Sequence, residues 1–124
     1  MDAYLKLYIA VLADVPDYMV PTLVAHSMLG AHLHYFSQSI EFKDNFWNSE
    51  YYTKWLHESF RKCVVKVNRK EFEKITNLHR NMYLGHENTV LNAEKSCAIP
   101  LPVWSDNLPN VLKFAKLWSP TYEN

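Results

Sequence analysis

Leu7–Ala13 is apolar without a break, and Asp14 ends the run. Unbroken rather than alternating apolar residues predict a strand buried on both faces, Lys6–Leu12, in the middle of a sheet with helices over it. Asp14–Tyr18 reads as a turn around Pro16. Met19–Tyr35 contains no Asp, Glu, Lys or Arg and predicts a buried helix. Pro21 falls in its first turn, where a missing N–H costs nothing. Val20, Leu23, Val24, Met28, Ala31 and Tyr35 share one helical face, while Leu29 and Leu33 fall on a neighbouring face beside His26 and Gly30. A glycine inside a helix costs about 1 kcal/mol against alanine, so Gly30 implies a close crossing with another element.

Further along, Phe36–Asn48 is irregular and reads as a loop carrying Phe42, Phe46 and Trp47. Ser49 is placed to cap a helix over Glu50–Phe60. Residues 61–68, RKCVVKVN, are rich in valine and predict a strand, with Lys66 at its exposed end. Asn68 is a helix cap for Arg69–Tyr83, where Phe72, Ile75, Leu78, His79 and Met82 recur at spacings of three and four. Gly85 ends that helix or starts the next turn. Asn88–Asn92 and Ser96–Val103 predict two more strands. Pro100 and Pro102 make the second of these short or place it at an edge, because each removes a ladder hydrogen bond. Ser105–Asn107 is a turn, and Pro109 opens a last helix running to Trp118. The order β-α-(α)-β-α-β-β-α predicts a three-layer α/β/α domain. Its sheet is mixed and mainly parallel, has about four strands and carries helices on both faces.

A chain of 124 residues, 48% hydrophobic and 15% aromatic, makes one domain with a real core. Net charge is zero overall, so no general attraction to nucleic acid or acidic membrane follows. The charge is nevertheless uneven: −4 over residues 1–53, +5 over residues 54–80 and −1 over residues 81–124. The basic segment is either a solvated helix face or a patch for phosphate or an acidic partner. Cys63 and Cys97 sit in apolar runs and read as buried free thiols. No apolar run reaches the ~20 residues of a membrane span. The start MDAYLKLY is unlike a signal peptide, so the cytoplasm is the expected location.

No glycine-rich phosphate loop is present, and neither cysteine nor serine sits in a nucleophile motif. His26 and His34 lie roughly 80° apart on a helix and His32 points elsewhere, so no metal and no cofactor is expected. His26 stands near the end of the first strand, where α/β folds place ligands. It is a candidate base, or else a rim histidine. Asp14 and Asp17 flank the turn after that strand and serve either as helix caps or as a base and substrate holder. The loop Leu84–Asn88 brings His86, Glu87 and Asn88 together after Gly85, with Thr89 next. It is a candidate site or a solvated loop.

Taken together, these phrases resemble the type 2 peptidyl-tRNA hydrolase superfamily. In that family a strand ends in a basic residue, an aspartate and a leucine. A Met-x-x-Gly-Lys helix start follows, then Ala-Ala-Gln and a His-Ala pair. Here IAVLADV keeps Asp14, with Ala13 at the basic position. Met19 matches, Pro21-Thr22-Leu23 replaces the Gly-Lys region, Ala25 matches, His26 stands at the glutamine, and Leu29 stands at the next histidine. Trp55 and Lys62–Val67 fit the family's tryptophan and following strand. Leu84–Glu87, or nearby Thr89, stands for its Asp-x-Gly-x-Thr loop without the aspartate. Ser96–Pro102 fits its closing strand and Asn107–Trp118 its last helix.

The resemblance implies a site at the carboxyl ends of the strands. Asp14 would orient, His26 and His86 would act as bases or bind substrate, and Thr89 would donate a hydrogen bond. Thr22, Gly85, Glu87 and Asn88 would hold substrate, and Lys62 and Lys66 would contact an RNA backbone. The activity implied is hydrolysis or binding of a tRNA- or nucleotide-linked substrate, without metal or covalent nucleophile. The missing lysine and aspartate favour the other outcome, a non-catalytic binding or inhibitory protein on the same scaffold. Such a protein would meet a protein partner, a second copy as a homodimer, or a small ligand. Four tryptophans and eight tyrosines supply aromatics of the kind favoured at interfaces. A membrane is not among the expected partners.

Overall fold

Eight residues, Leu5–Leu12, form strand β1, and seven of them are buried. The unbroken apolar run therefore lies at the centre of the sheet, as its pattern predicts. The computed structural model describes residues 2–36, 47–88 and 91–121. Phe42, Phe46 and Thr89 lie outside the described residues. Helix α1 is Val20–Phe36, α2 is Glu50–His57, β2 is Arg61–Val67, α3 is Arg69–Thr76 and β3 is Tyr83–Gly85. Then come β4 Cys97–Ile99, β5 Val103–Trp104, α4 Asn110–Lys113 and β6 Lys116–Leu117. The sheet runs β3-β4-β1-β2-β6, with β5 also paired to β1. Helices α1 and α2 touch each other on one face, and α3 and α4 on the other. The protein is thus an α/β fold with a mixed sheet between helical layers.

Among the described residues only β1 and β2 pair in parallel, in register from Lys6↔Arg61 to Leu12↔Val67. All other pairings are antiparallel, which corrects the expectation of a mainly parallel sheet. The reason is that β3 to β6 are strands of two or three residues that fold back without a helical crossover. Pro100 and Pro102 do interrupt their strand. Ala10 faces Ala98 and Lys6 faces Val103, so five steps on one strand span four on the other, a one-residue bulge at the prolines. Both pieces are short, as expected: β4 lies between β3 and β1, and β5 pairs with β1 alone. Both prolines are buried in the gap between the two pieces.

Helix α3 starts as predicted. Asn68 Oδ1 accepts from the Glu71 N–H at 2.8 Å, and the Asn68 N–H donates to Glu71 Oε1 at 2.9 Å, a reciprocal capping box. Its end comes earlier than the spacing predicts, at Thr76 rather than Tyr83. The Thr76 hydroxyl and the Asn77 amide both donate to the Glu73 carbonyl, which diverts the backbone from further helical turns. His79 is then pinned between the Leu101 N–H, from which its Nε2 accepts, and the Arg80 carbonyl. Asn81 turns with φ 57°. His79 therefore belongs to a turn, and Tyr83–Gly85 is a strand, not a helix tail. Other departures are local. Asn48, not Ser49, caps α2 through Oδ1 and the Glu50 N–H. Leu91–Ala93 is a 3-10 turn where a strand was expected, and the last helix stops at Lys113, giving way to β6.

Burial holds the His79 imidazole below its ordinary 6.5. A histidine depressed in the folded state is protonated first in the unfolded chain, so it costs stability as pH falls through 6.5 towards its folded value. Urea unfolding is therefore expected to show lower stability at pH 5.5 than at pH 7.5, with a shallower dependence in His79→Gln. Glu94, held below its ordinary 4.5 by Arg69, gives up its contribution only in more acidic solution, so the two windows separate. An equal pH slope in both proteins would show that His79 is not the group responsible.

Both glycines of the chain sit where α1 meets β3. A β-carbon on Gly30 would overlap the Tyr83 hydroxyl and the ring carbon that bears it. One on Gly85 would overlap Ser27 Oγ, at 2.7 Å from its Cβ and 3.3 Å from its Cα. The close crossing that Gly30 predicts is therefore with β3. Gly85 is needed for space within a strand rather than for a turn; no glycine has positive φ. Tyr35 closes the same seam. Its hydroxyl donates to the Ile99 carbonyl at 2.6 Å and accepts from the Tyr83 N–H at 3.1 Å.

Candidate functional site

The residues proposed for a site at the strand ends fall into separate groups. Asp14 stands just past β1, where the Ala13 N–H donates to the Val67 carbonyl and brings the start of α3 alongside. Arg69, the first residue of α3, donates to Asp14 Oδ2 from Nε at 2.8 Å and to Glu94 Oε1 from Nη1 at 2.6 Å. All three side chains are exposed, so this clamp contributes modestly to stability and is screened by salt. It nevertheless occupies the carboxylate assigned an orienting role. Asp17 accepts from the Thr121 N–H and so ties down the segment that follows β6.

Along α1, Thr22 and His26 are exposed. Tyr83 against Gly30 and Gly85 against Ser27 show that β3 runs antiparallel to α1, aiming the His86–Asn88 segment at the helix's first turns. Gly85 is buried, Glu87 half-buried, and His86 and Asn88 exposed. His86 Nδ1 accepts from Lys95 Nζ at 3.1 Å. His26 has no hydrogen bond or ion pair among the described residues. A base in this position lacks the orienting carboxylate that acid–base catalysis generally uses. Among the described residues no three His, Cys, Asp or Glu side chains converge as a metal ion requires. Ser27 Oγ is buried and, among the described residues, meets no hydrogen-bond partner other than the weak Cys97 thiol. The Cys97 thiol beside it is pushed up to about 12 by burial, which keeps it protonated and unreactive. Both cysteines are free, Cys97 buried and Cys63 partly so.

The two lysines lie apart. On β2, Lys66 faces Val11 and Lys62 faces Leu7, about 13 Å apart along the strand. Lys66 Nζ donates to the Ser119 carbonyl at 3.2 Å and sits over the Trp118 ring. Lys62 belongs instead to a groove of about 440 Å³ between α1 and α2. Ala25, Met28, Leu29 and His32 form its α1 wall. Tyr52, Trp55 and Leu56 form its α2 wall, and Phe60 and Lys62 close one end. Across the floor, His32 Nδ1 and Tyr52 Oη share a hydrogen bond of 2.9 Å. Burial pushes the Tyr52 phenol up to about 12, so it stays protonated. Trp55 Nε1 donates to the Arg61 carbonyl at 2.6 Å, fixing the indole as the groove's inner wall. Phe60 stacks on Trp55 at 5.2 Å.

Beyond the groove the same side of α1 continues outward. Leu29 and Leu33 are 65% and 64% exposed, and Phe36 is 54% exposed. An uncharged 17-residue helix could have been buried all round. Instead one side packs on the sheet and the other faces outward as apolar surface, of the kind that marks interaction sites. The sequence separates Leu29 and Leu33 from the core face. It gives no sign that Phe60 and Lys62, across the junction from helix to strand, complete a groove with them. Arg69 was also missed as a partner of Asp14, because nothing local links residues so far apart in the chain.

No helix among the described residues is long and apolar enough to cross a membrane. The chain matches no protein-family model, and no curated protein matches it significantly.

Proposed function

We propose that this protein works by binding rather than by chemistry: a cytoplasmic, peptidyl-tRNA hydrolase-like scaffold that engages a partner through the outer side of α1 and the groove beside it. One observation carries the proposal. The polar candidates at the strand ends are dispersed or engaged, with Asp14 held by Arg69 and His86 by Lys95. The outer side of α1, by contrast, presents exposed apolar side chains, Leu29 and Phe36 among them. Binding through such a face requires no acid–base pair. Pro21 and Thr22, where the resembling family carries its lysine, leave that chemistry without its cation.

Native mass spectrometry of the protein isolated from the cells that make it tests the proposal. A component bound at fixed stoichiometry, lost from Leu29→Glu/Leu33→Glu, is expected. Both leucines are mostly exposed, so the fold survives their replacement. Protein bare of any component, or a component kept by the double variant, would contradict the α1 assignment.

A second function, hydrolysis of a tRNA- or nucleotide-linked ester, is favoured by one feature. Exposed Thr22 and His26 lie on the helix towards which the His86–Asn88 segment is aimed. In that case His26 would bind or deprotonate, and His26→Ala would abolish turnover.

A further inference from the structure

We infer that the groove between α1 and α2 is a binding site for an apolar carboxylate, a small acid with an alkyl or aryl body and a single negative charge. The inference rests on the binding function proposed above and names its ligand. The groove's size, about 440 Å³, falls within the range of small-molecule sites, which are mostly apolar with a few convergent polar groups. Among the described residues its lining contains no aspartate or glutamate, and Lys62 is the one charged residue there. The Lys62 ammonium has three donors. One goes to the Phe60 carbonyl at 2.8 Å, and the side chain makes no ion pair among the described residues. The ammonium lies 3.5 Å from the Phe60 ring centroid, held at the mouth of an otherwise apolar trough.

A single exposed cation at the end of an apolar trough complements a single carboxylate on an apolar body. The acid stays at the water-accessible mouth, where its charge is not buried unpaired. The body lies along Leu29 and Met28 against Trp55 and Phe60. A dianionic phosphate would find only one cation among the described lining residues. A second copy of α1 brings no carboxylate at all, since the helix has no acidic residue. An alkylammonium would meet Lys62 as a like charge.

Isothermal titration of the full chain with decanoate and with decyltrimethylammonium tests this. The two probes share an alkyl body and differ in the sign of the head. The Trp55 indole N–H resonance locates binding. Decanoate is expected to bind one to one, at least tenfold tighter than the cation, and to shift the Trp55 resonance. Lys62→Glu is expected to weaken decanoate at least tenfold and to reverse the preference. Lys62→Met is expected to abolish discrimination between the heads. Because Lys62 is exposed, neither change disturbs the core, and circular dichroism checks that. Absence of decanoate binding, equal binding of both heads to the unmodified protein, or decanoate affinity indifferent to Lys62→Glu would each overturn the inference. Those results would leave the wider binding function intact. It falls on separate observations, namely catalytic turnover or a native partner indifferent to the α1 face.

Discussion

Replacing Gly85 by alanine is expected to destabilise the protein by about 3 kcal/mol, the upper part of the range for forcing atoms into a packed interior. Local preference points the other way, since glycine inside a strand is usually a weak choice that alanine improves. Packing outweighs preference here. The new methyl would meet not only the Ser27 hydroxyl, which can rotate, but also the Ser27 Cβ at 2.7 Å and its Cα at 3.3 Å, which cannot. Either α1 lifts from β3 or β3 shifts against β4, and both movements disturb the Tyr35 bonds to Ile99 and Tyr83. Ser27→Gly removes the Cβ and Oγ that stand in the way. In that background Gly85→Ala is expected to cost less than about 1 kcal/mol, a coupling characteristic of residues in direct contact. Urea unfolding of the four proteins in the cycle measures it. Equal costs in both backgrounds would show that Gly85 is required for something other than room for α1.

Trp55→Ala is expected to cost about 4 kcal/mol, within the range for truncating a large buried aromatic. Trp55 is 1% exposed and packs against Tyr52 at 5.4 Å and Phe60 at 5.2 Å between ring centroids. Truncation leaves a cavity under α2 and strands the Arg61 carbonyl without its indole donor. Since small domains are stable by only about 5–15 kcal/mol, the variant is expected to be marginal at 37 °C. Trp55→Phe keeps most of the packing but not the hydrogen bond, and is expected to cost about 2 kcal/mol. Thermal unfolding distinguishes the two. A Trp55→Ala protein as stable as the parent would mean that the groove wall is not part of the core.

Segments whose fate is decided locally were legible in the sequence. The uninterrupted Leu7–Ala13 run could only be a strand covered on both faces, and β1 is that strand. Asn68 and Glu71 at the right separation announce a helix start, and the capping box forms. Gly30 in a helix demanded a close neighbour, and Tyr83 is that neighbour. Failures came where tertiary contacts override local pattern. His79 continued the apolar spacing of α3, yet the helix ends at Thr76 and His79 is held in the following turn by the Leu101 N–H, far along the chain. Tyr83–Gly85 is too short to declare itself a strand before β4 pairs with it.

The candidate site divides in the same way. A carboxylate after a buried first strand draws attention to Asp14, but its capture by Arg69 depends on β2 delivering α3 to that spot. Lys62 and Lys66 look equivalent in a basic run, whereas four residues of extended strand hold them about 13 Å apart, with Lys62 at the groove. Thr89, assigned a hydrogen-bonding role, lies outside the described residues.

The most direct test is hydrolysis of an N-acetyl-aminoacyl-tRNA by the purified protein, followed in parallel for His26→Ala and Asp14→Asn. Release of the N-acetyl amino acid is expected at the uncatalysed rate for all three. Turnover well above that rate, lost in His26→Ala, would contradict a purely binding role and make the α1–β3 edge an active site.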